Sequence, residues 1–348
     1  MARRVGPRYA DRAVTSPAFI FRDGERVIRF GAGVLDEAPS LLFDQGFDGY
    51  ALLTTQRAEA QAPAEVVGSA AVVIHVPAGG VPEAAAAIQK QAAGMSLVAL
   101  GGGRVVDAAK AVAAVGGSRV AAVPTTLAGS SFTPFHRMPA GVEGYGSTRP
   151  ALAVCDPDLM ASAPMPGLAA TAMNALAHGI EALYAPGANP VSEGAALRAA
   201  TLMSSGLDGP EPRRADLAEA AVLGGYAVGV AGLCVHHAVC QTIVRVAGTS
   251  HAATNAVLLP HSVAFMAARA PRQIEALAAA LGVSGAGEAA GAVARLSRRA
   301  VVTSLGELEL DPARVDEVAS AALHHPGVAA TPGEVTLDDL RALVRSAL

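Results

Sequence analysis

Short runs of β-branched and aliphatic residues alternate with longer Ala-rich stretches through the first half of the chain. Residues 26–33 predict a strand entering a glycine turn, and 50–55, 71–76, 96–100 and 120–124 predict buried strands. Residues 81–94 and about 105–115 read as helices between them. Strands separated by helices imply βαβ units and a mostly parallel sheet. After Asp156-Pro-Asp158 the pattern changes. Segments 166–184, 191–207, 216–236, 256–268 and 271–281 are Ala/Leu-rich and read as helices, with Gly or Pro at many joins. The Ala/Gly-rich tract 282–300 reads as helix and turn rather than linker, and no internal repeat is apparent. The expected division is an α/β domain over 1–157 and an all-α domain over 158–348, with the cleft between them as the default site.

Composition narrows this picture. The chain has 348 residues, 52% hydrophobic and 16% charged, enough for two domains and a large core. A net charge of -4 without a basic stripe argues against nucleic-acid binding. No apolar run approaches the roughly 18 residues needed to span a bilayer, so no membrane association is expected. The N-terminal residues are charged and no apolar core of signal-peptide length follows. Cys155, Cys234 and Cys240 form no CxxC pair and no even-numbered framework. A reducing cytoplasm is the simplest expectation.

The candidate chemistry is concentrated in a few places. His236, His237, His251 and His261 fall within one short region of an otherwise apolar helical half. Buried imidazoles need partners, so the clustering points to a polar centre. His236 and His237 are adjacent on a predicted helix, about 100° apart, so only one can face any one site. Asn174, His178 and Glu181 are spaced i, i+4, i+7, which puts an amide, an imidazole and a carboxylate on one helix face. His178, His237 and His251 have the chemistry of three nitrogen ligands, but neutral Asn174 is a poor fourth ligand. The alternative is that these histidines bind an anionic substrate and supply a proton. His324 and His325 read as solvated surface residues.

Leu100-Gly101-Gly102-Gly103 lies between a predicted strand and helix, with Asp107 and Lys110 on that helix. Such a turn lets a phosphate approach the helix N-terminus, although a tight turn alone needs the same glycines. The hydroxyl-rich loop 123–131, containing Thr125, Thr126 and Ser130, follows the next strand. It reads either as a partner for a dinucleotide or as an ordinary hydroxyl-capped turn.

Together these motifs resemble the iron-containing alcohol dehydrogenase superfamily, and within it the maleylacetate reductases. Phe30–Gly33 is similar to the family's N-terminal turn. Gly101–Gly103 with Asp107 and Lys110 is similar to its diphosphate loop, and Pro124–Ser130 with Thr133-Pro134 to its second nucleotide loop. Asn174–His178 with Glu181–Ala185, then His236-His237 with Cys240, and His251 through His261, are similar to its two metal-helix motifs. The resemblance implies a Rossmann-like, dehydroquinate synthase-like N-terminal domain, an all-α C-terminal domain, a homodimer, and NADH or NADPH as cofactor. It implies hydride transfer to an unsaturated or keto carboxylic acid. The implied catalytic residues are His237, His178, His251 and Gln241. The implied cofactor contacts are Gly101, Gly102, Gly103, Asp107, Thr125, Thr126 and Ser130. Metal-dependent members carry Asp where this chain has Asn174; maleylacetate reductases carry Asn, which argues against a metal. Two further departures are Gln241 in place of a histidine and Ser131 in place of a glutamate.

No acidic residue ends the strand 50–55, which leaves NADPH open beside NADH. A dicarboxylate substrate would need cations, and Arg137, Arg149, Arg245 and His136 are the candidates. Gln241 and Ser131 motivate a second reading, a repurposed lyase, isomerase or cyclase. A metal-dependent alcohol dehydrogenase is a third and a non-catalytic binding protein a fourth.

Overall fold

The computed structural model describes residues 24–348; the expectations for residues 1–23, including the absence of a leader and the start of the 1–157 division, lie outside them. Six strands form one sheet: β1 (Val27–Phe30), β2 (Ala51–Thr54), β3 (Val72–His75), β4 (Leu97–Gly101), β5 (Val120–Pro124) and β8 (Leu152–Cys155). A separate antiparallel hairpin is made by β6 (Phe135–Arg137) and β7 (Tyr145–Ser147). The sheet order is β1-β8-β5-β4-β2-β3, and every pairing in it is parallel. β2, β4, β5 and β8 are buried at every position, which is why their sequences read as unbroken apolar runs. β8 was not anticipated. Its Leu-Ala-Val-Cys run is short, yet it sits between β1 and β5 and completes the sheet.

Parallel register sets the site. Gly101 pairs with Pro124, so the loops leaving β4 and β5 emerge side by side at the carboxyl edge. Ligands of open α/β sheets bind in that crevice. Helix α1 (Val81–Ile88) is shorter than the predicted 81–94, because the chain turns after it and reaches Gly94 at φ 75°. Helix α2 (Gly103–Gly116) starts inside the glycine triplet and closes on Gly117 in the left-handed region.

From Pro157 onward the described chain is helical. The main elements are α3 (Met165–Ala182), α4 (Pro190–Leu207), α5 (Arg214–Ala231), α6 (Val235–Ala247), α7 (His251–Ala267), α8 (Pro271–Ala280) and α9 (Ala286–Ser297). Their core is continuous with Leu127, Phe132, Ala153 and Cys155 of the sheet side. Gly224, Gly225 and Gly229 on α5 have no room for a side chain: added Cβ atoms would meet the Ala175 carbonyl, the Phe132 ring and the Phe132 carbonyl. These contacts bring α5 against α3 and against the loop after β5.

The expected single helix 216–236 is two helices. Gly232 takes φ 105°, a conformation cheap only for glycine, and α5 and α6 meet at about 100°. The consequence is chemical: a new helix N-terminus forms two residues before His237. Helix α7 begins at His251 rather than near 256 and carries Pro260 inside it. Among the described residues no single helix is long and apolar enough to cross a membrane.

Candidate active site

Glu181 on α3 is fully buried and reaches the start of α6. Its Oε1 accepts the backbone N–H of His237 at 3.2 Å, and its Oε2 lies 2.6 Å from His237 Nδ1. Helix α6 has no side-chain cap of its own, so this carboxylate satisfies an orphan donor from 56 residues away. Burial pushes the Glu181 carboxyl up and the His237 imidazole down to about 3. His237 is therefore neutral, donates Nδ1–H to Glu181, and keeps a bare Nε2 lone pair, which has no partner within the protein.

His178, one turn before Glu181 on α3, stacks on His237 with centroids 4.7 Å apart and planes within 6°. Its imidazole is held well below the ordinary range, first by burial and then by His237 and His251. Its Nδ1 and the Oδ1 of Asn174 are buried without a partner. The i, i+4, i+7 face anticipated from the sequence thus presents Asn174, His178 and Glu181 together.

His236 faces the other way. It lies 2.7 Å from Asn255 Oδ1 and 3.0 Å from Ser262 Oγ, both on α7, and is a satisfied structural histidine. Cys240 receives the Asn255 amide at 3.1 Å and lies 3.9 Å from His251 Nδ1. His251, at the first position of α7, is solvent-exposed yet surrounded by protein, as expected of a side chain lining a cleft. It is close enough to depress both His178 and His237.

The sheet-side loops join this centre. An added Cβ at Gly102 would lie 3.2 Å from Thr126 Cγ2, and one at Gly103 3.1 Å from Ala128 Cβ and Ser130 Oγ. The triplet is thus required for loop-on-loop packing. Gly102 caps α2 without a side-chain bond; Val105 and Val106 N–H bond its carbonyl, which leaves the N–H groups of Gly103 and Arg104 at the helix start for an anion. Thr125 N–H is spent on the Gly101 carbonyl, and Thr126 Oγ1 accepts Ala128 N–H at 3.4 Å. Gly129 packs against His178, because a Cβ there would lie 2.6 Å from its Nδ1.

Lys110 does not face this crevice. Its ammonium is fully buried and donates to Asp107 Oδ1, the Ser130 carbonyl and the Phe135 carbonyl, at 2.8, 3.1 and 2.7 Å. All three of its protons are used, so it pins the loops rather than meeting a phosphate. Asp107 Oδ2 accepts from Ser130 Oγ at 3.0 Å, which makes these two anticipated contacts part of the same internal network.

Two of the four candidate cations are also structural. Arg149 donates to the Gly229 carbonyl at 2.5 Å, and His136 is buried in the hairpin with Nδ1 3.0 Å from the Arg137 carbonyl. Arg137 and Arg245 instead line one pocket with Gln241 and His325. His325 is half-buried and hydrogen-bonded to Gln241 Oε1 at 3.3 Å, so it is not the solvated residue expected from its place near Pro326. Nothing local in the sequence links residues 241 and 325.

The polar groups gathered here are an amide and two neutral imidazoles. Asn174 supplies a neutral oxygen, and stacked parallel rings direct the in-plane lone pairs of His178 and His237 along separate planes.

Comparison with known proteins agrees with this architecture. Residues 29–164 match the iron-containing alcohol dehydrogenase family, and residues 168–348 match the C-terminal region of the Fe-containing alcohol dehydrogenase family. The chain is 38% identical over 263 residues to maleylacetate reductase 1 of Rhodococcus opacus, covering 72% of each protein. It is 31% identical to maleylacetate reductase of Burkholderia cepacia, over 95% of this chain and 97% of that one. The crystal structure of maleylacetate reductase from Agrobacterium tumefaciens superposes with a TM-score of 0.84 at 26% identity, over 95% of this chain and 98% of that one. The chain belongs to the iron-containing alcohol dehydrogenase family. It is an oxidoreductase, and within that family its similarity runs to the maleylacetate reductases. These relatives support the reductase reading over the non-redox alternative.

Proposed function

We propose that the protein reduces an unsaturated keto dicarboxylate of the maleylacetate kind with NADH or NADPH. The observation that carries the reading is the contact between Gly129 and His178. It supports reading the loops beside the glycine triplet and the His178–His237 pair as one continuous site. The bound nicotinamide supplies the hydride. Gly101–Gly103 and the α2 N-terminus receive the diphosphate, with Thr125, Thr126 and Ser130 along the neighbouring loop and Asp107 holding Ser130. His237, fixed in one tautomer by Glu181, turns its Nε2 toward the substrate and orients it. His178 holds the other side of that ring. His251, at the open end, hands on the proton that hydride addition requires. β2 ends in Thr54, followed by Thr55 and Gln56, so no carboxylate there selects against NADPH.

The same reading is metal-independent, supported by neutral Asn174 and the stacked histidines. The sheet side, 1–157, serves the nucleotide and the helical side, 158–348, the substrate. Free, buried Cys155, Cys234 and Cys240 favour a reducing cytoplasm, and the apolar composition favours a homodimer, which light scattering on the purified protein tests.

The test is oxidation of NADH and of NADPH by the purified protein with maleylacetate. Turnover with at least one nucleotide is expected. No turnover with either, at saturating substrate, sinks the reading.

A further inference from the structure

Helix α6 carries His237, Gln241 and Arg245 at i, i+4 and i+8, so all three lie along one face, each about 6 Å beyond the last. At Gln241 and Arg245 this face borders a pocket of about 170 Å³, lined also by Arg137, Thr242, His324 and His325. No carboxylate is among its lining residues. The volume is several times the ~30 Å³ share of a water molecule, enough for a carboxylate and its adjoining carbons.

The hydrogen bonds around His325 decide what Gln241 offers. Gly327 N–H donates to His325 Nδ1 at 3.0 Å. A backbone N–H is only a donor, so Nδ1 is the acceptor and the ring proton sits on Nε2. Nε2–H then donates to Gln241 Oε1 at 3.3 Å. With its oxygen engaged, Gln241 has its two amide N–H donors left for other partners. Beside them stand the guanidinium groups of Arg137, from the hairpin that Lys110 pins, and of Arg245. A planar, anionic acceptor matches this set.

The geometry points to this pocket as a subsite for the remote carboxylate of a dicarboxylic substrate, held by Arg137 and Arg245 with the Gln241 amide positioned by His325. The inference deepens the reading above and rests on it for the identity of the reacting end. A short linear diacid whose reacting carbon lies at His237 sets its far carboxylate about one helical turn away, at Gln241, where the long side chain of Arg245, one turn further on, reaches back to meet it.

The experiment is calorimetric titration with adipate, a straight-chain diacid, and with its monomethyl ester. The proteins are the parent chain, Arg245→Gln, Arg245→Lys and Arg137→Gln. The parent is expected to bind the diacid at least about tenfold more tightly than the ester. Either Arg→Gln change is expected to erase that preference, and Arg245→Lys to retain part of it, since it keeps the charge and loses the fork. Melting curves of each variant confirm folding; Arg245 is exposed, so its variants fold even if the Arg137 variant does not. Equal affinity of the parent for diacid and ester, or an undiminished preference in the Arg245→Gln variant, overturns the subsite. A parent that binds the diacid selectively but oxidises neither nucleotide with maleylacetate overturns the proposed reaction and leaves the subsite standing.

Discussion

Glu181 and His237, 56 residues apart, are joined by two hydrogen bonds: one to the imidazole, one to the backbone N–H that opens α6. One buried carboxylate therefore sets both the tautomer of the histidine and the position of the helix that carries it. Glu181→Gln keeps the shape and weakens the acceptor. A fall in kcat of about 10- to 100-fold with KM little changed is expected. A change confined to KM would mean that Glu181 acts on binding alone.

Gly129→Ala drives a methyl group into the His178 ring, 2.6 Å from Nδ1 and against Cε1. The ring is backed by His237 and cannot retreat without unstacking. A loss of about 1–3 kcal/mol in stability is expected from overpacking, with turnover reduced about tenfold or more through the displaced pair. Melting curves and steady-state rates check both; an unaffected rate refutes the coupling between loop and histidines.

Lys110→Met removes a fully buried ammonium and strands Asp107 Oδ1 and two carbonyls. Asp107 is partly exposed, so the main cost is the two carbonyls left without a donor, about 1–3 kcal/mol. Chemical denaturation should show that loss. If Lys110 served phosphate instead, nucleotide affinity would collapse while stability held.

Stability is expected to fall with acid. Burial lowers His236 to about 3 in the folded chain from an ordinary 6.5. Between those values the unfolded chain binds more protons, so stability rises with pH through that window, is complete above about 6.5, and is lost as pH falls. His237 acts in the same direction, and Glu181, raised by burial, opposes both above its ordinary value of 4.5. Melting temperature measured from about pH 4.5 to 7.5 should climb. His236→Gln should flatten the slope; an unchanged slope would assign it elsewhere.

Chelation should leave turnover unchanged, and protein purified without chelator should hold far less than one ion per chain. The reason is the donor set: an amide at 174 and two imidazoles stacked at 4.7 Å. Loss of activity with EDTA, restored by iron or zinc, would contradict this.

Much of the site was legible in the chain. Glycine between strand and helix, hydroxyls after the next strand, and the Asn174–His178–Glu181 spacing each carry a local signature, because helix period and turn chemistry act over a few residues. β8 was missed because four apolar residues between loops carry no period. The α5–α6 break was missed because Gly232 sits inside an Ala-rich run, where glycine alone is a weak stop signal.

The sequence by itself determined the parallel sheet, the helical second half, the two loops at neighbouring strand ends and the histidines on their helices. Only the tertiary structure decided which of those groups are spent on internal partners and which are left unpaired. It spent Lys110 and Arg149 on carbonyls, turned His236 into the core, and brought His325 from beyond α9 to Gln241. The physical reason is range. Backbone propensity and side-chain period are written within a turn or two, whereas a buried donor takes whichever acceptor packing delivers, at any distance along the chain.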